Sequence, residues 1–213
     1  MASRILHLAA AEQLLAETEL PQPERFRFGS ILPDAYTGGK MDRWQTHLLI
    51  RTPEGGRTND LTAFRARFGD RLLTDGLYLG YYFHLLEDMV FRRIIYQENH
   101  WCPDTPEKVE RLHGDYRRCN AWAIAHFGVR DTLHIPEGFY TEAIYDWFPF
   151  CAQALLEALR EDFTPVECAP YFFFHEQMAA CFVTRATTLC LRELEALRTG
   201  AEPVNEYDWV WGG

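Results

Sequence analysis

Leu77–Arg93 reads LYLGYYFHLLEDMVFRR, and its spacing decides the fold class. Leu77, Gly80/Tyr81, His84, Asp88 and Phe91 recur at intervals of three and four, which on a helix places them on one face. The stretch is strongly apolar, and the helix it predicts runs from Asp75 to Tyr96. Outward from it the same periodicity predicts helices over 3–20, with Ser3 as cap, and over 60–68, 104–127, 137–162 and 169–198. The 104–127 element carries Thr105 as cap, Pro106 in the first turn and Gly128 at its stop. Residues 21–58 have a different texture, with prolines at 21, 23, 33 and 53 and glycines at 29, 38, 39, 55 and 56, and read as loop with short elements embedded. Alternating strand patterns are nearly absent, and no repeat or linker divides the chain. The expectation is an all-α protein, a single bundle of about six helices over 1–213.

Composition bounds the function classes. The chain has 213 residues, 47% of them hydrophobic and 15% aromatic, enough for a sizeable core and unlike a disordered chain. Its 21 basic and 31 acidic residues give a formal charge of −10. That balance argues against binding extended nucleic acid by neutralising many phosphates, and against a polybasic membrane patch. It leaves room for carboxylates that hold a cation. The six cysteines, at 102, 119, 151, 168, 181 and 190, form no CxxC pair and read as mostly buried free thiols. No run of 18 apolar residues predicts membrane insertion, and the first twenty residues lack the pattern of an export signal, so a cytoplasmic location is expected.

His84 and Asp88, four apart, place an imidazole and a carboxylate one turn from each other, a pairing suited to zinc or a similar transition ion. Glu87, three from His84, competes as a ligand, and a salt link from Asp88 to Arg92 is the plainer account of the same helix. His7 lies on the inner side of the first helix. Asp34 ends the apolar phrase Phe28-Gly-Ser-Ile-Leu-Pro-Asp34, and His47 precedes Leu48 and Leu49. Taken singly, these read as a core histidine, a turn cap and a surface-loop histidine. Jointly they supply three histidines and two carboxylates, enough for a metal site.

The order His7, Ser30-x-x-Pro-Asp34, Thr46-His47 and Gly80-Tyr-x-x-His84-x-x-x-Asp88 resembles the zinc-dependent phospholipase C and P1 nuclease superfamily over about residues 5–95. The resemblance implies an all-α fold with zinc in a cleft between helices: Asp34, His47, His84 and Asp88 would hold one ion, and His7 with a bridging Asp88 a neighbouring one. The family's further His-x-x-x-Glu is not present in this sequence; Glu110 and His113, three apart, are the nearest substitutes, and His113 is taken as a metal ligand by its likeness to an intracellular bacterial branch. One or two zinc ions are expected, with Fe, Mn or Ni as alternatives. The activity implied is hydrolysis of phosphoric esters, with Asp34 and Asp88 as catalytic residues and a small phosphodiester or phosphomonoester as substrate. The alternative is a non-catalytic helical protein in which the same residues form a structural metal site or a buried polar network. An HD-type phosphohydrolase ranks low as a third reading, since it requires a His-Asp doublet and no His here is followed by Asp.

Overall fold

The computed structural model describes residues 2–36, 42–101, 104–167 and 169–212. Among them are nine α-helices and one two-stranded hairpin, so the fold is all-α. In chain order these are α1 (Arg4–Glu17), α2 (Pro23–Gly29), α3 (Arg43–Thr46), β1 (Leu49–Arg51), β2 (Arg57–Asn59), α4 (Leu61–Phe68), α5 (Gly76–Arg92), α6 (Pro106–Phe127), α7 (Ala143–Trp147), α8 (Ala152–Asp162) and α9 (Glu176–Thr199). A 3-10 turn, Leu32–Asp34, follows α2, and a π-helical turn, Arg93–Glu98, extends α5. Six of the helices have eight residues or more.

The caps explain most boundaries. Ser3 Oγ accepts the Leu6 N–H at the start of α1, Asp60 does the same for Ala63 at α4, and Asp75 for Leu77 at α5. Thr105 caps α6, Pro106 opens it, and Gly128 closes it at φ 69°. Two expected helices are shorter than their periodicity suggested. The 137–162 stretch breaks at 148–151 into α7 and α8, because Pro149 cannot continue a helix and Phe148 before it is extended (φ −135°, ψ 112°). The 169–198 helix begins only at Glu176. Residues 172–174 ahead of it are held open by Asp115, whose carboxylate accepts the backbone N–H groups of Phe172, Phe173 and Phe174 at 2.9, 2.7 and 2.9 Å.

Helix α5 is the axis of the molecule, buried along all 17 residues. It packs between α2 and α9, with α1 lying against α9, α6 and α8. The α2–α5 crossing is so close that only glycine fits there: a Cβ on Gly80 would lie 2.2 Å from the Phe26 carbonyl oxygen, and one on Gly29 2.3 Å from that of Leu77. The aromatic run Tyr81–Phe83 is fully buried and belongs to the core. The hairpin β1–β2 packs on α5, and its outer edge joins the C-terminal segment through paired bonds between Arg57 and Trp211. Of the four cysteines within the described residues, Cys119 and Cys190 are buried, Cys151 is intermediate and Cys181 is exposed; Cys102 and Cys168 lie outside them. The expectation of mostly buried thiols therefore holds for half of those described.

Candidate metal centre

Four separate elements deliver side chains to one point beside α5. His84 and Asp88 come from α5 itself, His7 from the middle of α1, Asp34 from the 3-10 turn and His47 from the C-terminal end of α3. His7, His47, His84 and Asp88 are fully buried, and Asp34 alone keeps a margin of exposure, 8%. The ring of His7 stacks on that of His84 with centroids 3.8 Å apart. His84 Nε2 and His47 Nε2 stand 3.2 Å from each other, His47 Nε2 is 3.5 Å from Asp34 Oδ1 and 3.9 Å from Asp88 Oδ2, and His7 Nε2 is 3.8 Å from Asp88 Oδ1. Two overlapping triads, His7/Asp34/His84 and His47/His84/Asp88, each have ligand atoms within 4.8 Å of one another and could hold a metal ion.

The opposite edge of each ring shows why the inner nitrogens matter. His84 Nδ1 donates to the Ser30 carbonyl at 2.8 Å, and His47 Nδ1 donates to the Arg43 carbonyl at 3.2 Å. A carbonyl can only accept, so the His84 proton sits on Nδ1 and its Nε2 is a bare lone pair, whereas His47 Nδ1 also lies 3.1 Å from the Thr46 hydroxyl, and its Nε2 faces both His84 Nε2 and Asp34 Oδ1. With the His47 proton on Nδ1, two lone pairs meet at 3.2 Å, a contact that a shared cation relieves. Two nitrogens on one tetrahedral zinc lie about 3.3 Å apart, given Zn–N bonds of about 2.0–2.1 Å. His7 Nδ1 is bound to Glu87 Oε2 at 2.5 Å, a carboxylate behind a histidine, as at many metal centres. His7 Nε2 and Asp34 Oδ1 are buried and have no hydrogen-bond partner, which is costly unless something at the centre engages them.

Protonation follows from burial. Burial, reinforced by His84, holds His7 well below the usual imidazole range, and burial pulls His47 down to about 4 despite nearby Asp34. Both rings are therefore neutral at neutral pH. Burial by itself would raise the two aspartates. For Asp34 the His47 contact and the surrounding imidazoles outweigh it, and for Asp88 the Arg92 guanidinium does, so both carboxyls lie below their ordinary range. Neutral imidazole and ionised carboxylate are the forms that bind a metal. Glu87, desolvated and beside Asp88, is pushed well up.

Five of the six expected ligands thus meet. His113 does not join them: it is exposed on α6, with its ring 5.9 Å from that of Tyr116, and is in neither triad. Glu110 on the same helix pairs with Arg117 at 2.7 Å, and Asp115 is committed to its loop and to Arg118. The plainer account of α5 is also realised, since Arg92 Nη2 bonds Asp88 Oδ2 at 2.8 Å, so Arg92 is buried rather than an exposed helix arginine. His47 is no surface-loop residue, because Tyr81 on α5 donates its hydroxyl to the Thr46 carbonyl and draws the end of α3 inward. The sequence reading missed two supports. Glu87 stands behind His7 rather than competing with His84, a place that its i+3 position left open. Asn59 on β2 donates to the His47 carbonyl at 2.7 Å and accepts from Arg92 Nη1 at 2.7 Å, and no local pattern marks it.

Compared with protein-family models, with curated proteins and with solved structures, the chain matches none. Among the described residues no helix is long and apolar enough to cross a membrane.

Proposed function

We propose that the chain is a metal-dependent hydrolase of phosphoric esters, with zinc or a similar transition ion held by His7, His47, His84, Asp34 and Asp88. The observation that carries this reading is the convergence of three imidazole Nε2 atoms on two ionised carboxylates, with every Nδ1 tied back. A bound ion there supplies Lewis-acid polarisation of a phosphoryl oxygen and acidifies water. The two aspartates divide the remaining work. Both Asp88 oxygens already accept protein donors, Arg92 Nη2 on one and the Ala2 N–H at 3.3 Å on the other, so Asp88 holds and orients. Asp34 Oδ1 is unpartnered, and Asp34 is the one ligand with a margin of exposure, so it is the carboxylate that faces an incoming substrate and its water. Arg43, whose carbonyl anchors His47, has a buried Nε without a hydrogen-bond partner and makes no ion pair among the described residues, which suits an anionic substrate. The near-complete burial of the centre and the acidic surface favour a small phosphodiester or phosphomonoester over a polymer.

The test is metal analysis of protein prepared without chelator, together with turnover of bis-p-nitrophenyl phosphate and p-nitrophenyl phosphate. His84→Ala and Asp34→Asn should abolish turnover while the circular dichroism stays helical. Less than a tenth of an equivalent of metal, or turnover that survives both substitutions, refutes the reading. A second reading, a purely structural ion, is favoured by the same burial; it predicts that chelation lowers the melting temperature with no turnover to lose.

A further inference from the structure

The geometry points to a one-ion centre in which the Arg92 guanidinium stands where a second cation would be bridged by Asp88. This inference rests on the metal-centre reading above and refines it. Three features of the chain support it.

The first is the ligand count. The two triads share His84, and its Nδ1 is spent on the Ser30 carbonyl, so only Nε2 remains. One nitrogen lone pair serves one ion, and without His84 neither triad is complete.

The second is how Arg92 is held. Its Nη2 bonds Asp88 Oδ2 at 2.8 Å and its Nη1 bonds Asn59 Oδ1 at 2.7 Å. A carboxylate oxygen and an amide oxygen are the donors that a hard divalent cation uses, and here they grip a guanidinium. Trp211 covers the group, with the Arg92 guanidinium carbon 4.0 Å from its ring centroid, and Arg92 is 2% exposed. Asn59 also holds the His47 carbonyl, so one amide fixes the positions of two ligands, His47 and Asp88. Arg92 and Asn59 are in this sense positioning residues.

The third is charge. Asp34, Glu87 and Asp88 bring at most three negative charges to a buried cluster. One divalent ion with Arg92 already supplies three positive charges. A second divalent ion would leave an excess of at least two positive charges in the interior, where uncompensated charge is heavily penalised.

The experiment counts ions. Full-length protein is saturated with Zn2+ or with Mn2+, passed through gel filtration and assayed by mass spectrometry for metal per chain, with titration calorimetry as a second measure. One equivalent of either ion is expected. Two equivalents overturn the one-ion centre and leave the hydrolase reading standing; none overturns both. Arg92→Met removes the charge while keeping an unbranched apolar stem under Trp211, and should admit a second equivalent of Mn2+ between Asp88 and Asn59. Arg92→Lys, which keeps the charge, should stay at one. A folded Arg92→Met protein that still binds a single equivalent overturns the role given to the guanidinium. If that variant does not fold, Arg92→Gln is counted in its place, with two equivalents of Mn2+ expected and a single one overturning the role given to the guanidinium.

Discussion

Substitution of Gly80 by alanine tests whether the α2–α5 contact builds the candidate metal centre. In an ordinary helix interior the change is stabilising by about 1 kcal/mol, because alanine loses less backbone entropy. Here the new Cβ would lie 2.2 Å from the Phe26 oxygen, 2.7 Å from the Ser30 nitrogen and 3.0 Å from the Gly29 carbon, all backbone atoms that cannot swing aside. Helix α2 must shift, and overpacking of that kind costs about 1–3 kcal/mol. The Ser30 carbonyl shifts with it and loosens its 2.8 Å bond to His84 Nδ1, one turn along from Gly80, for about 1 kcal/mol more. After the propensity gain the net loss is about 2 kcal/mol, and at ~2–4 °C per kcal/mol for a chain of this length the melting temperature falls by roughly 4–8 °C. Because the lost bond orients the proposed ligand His84, the zinc affinity of the proposed centre should drop about 10–100-fold. Calorimetric melting of the metal-free protein and zinc titration read the two effects. Gly114→Ala on α6 is the control, since its Cβ would meet only the Arg118 guanidinium at 3.4 Å, and it should be neutral or stabilising. A Gly80→Ala protein that melts higher than wild type and binds zinc equally well would refute the reasoning.

Two further outcomes follow from the same geometry. Glu87→Ala leaves His7 Nδ1 without its 2.5 Å partner, so metal affinity measured against a competing chelator should fall about 10–100-fold; an unchanged affinity would show that Glu87 does not orient the ring. In the metal-free protein the His47 value of about 4 lies below its ordinary 6.5, so between those limits the unfolded chain binds the extra proton. The stability His47 contributes is therefore complete above pH 6.5 and is lost as the pH falls toward 4, by up to about 1.4 kcal/mol per pH unit. The raised Glu87 works in the opposite sense above pH 4.5 but is common to both proteins in a comparison. Urea unfolding of wild type and His47→Gln across this window should show a shallower pH dependence for the variant, and equal slopes would contradict the sign worked here.

Much of the fold is local and was legible as such. The 3.6-residue period, the Thr105 cap and the Gly128 stop predict α6 almost to the residue, because they report on bonds and faces within one segment. Pro149 and the polar anchoring of 172–174 interrupt two periodic stretches that packing alone would have left continuous. In the site, His84 and Asp88 are readable because i and i+4 must share a face on any helix, and Arg92 stands in the same relation to Asp88. His113 carried a comparable signal, a histidine three residues from a carboxylate, yet its position on α6 is exposed and it stays apart from the cluster.

What the sequence determined by itself is the helical class and an inventory of ligand-type residues beside apolar runs. Only the tertiary structure decided that His7, Asp34 and His47 reach the same point as α5. That decision rests on contacts far apart in the chain: the glycine crossing that brings Ser30 onto His84, and the Tyr81 hydroxyl that pulls in the end of α3. Asn59 belongs to the same class. Its two bonds exist because a short hairpin packs on α5, and long-range packing of that kind leaves no period in the sequence to read.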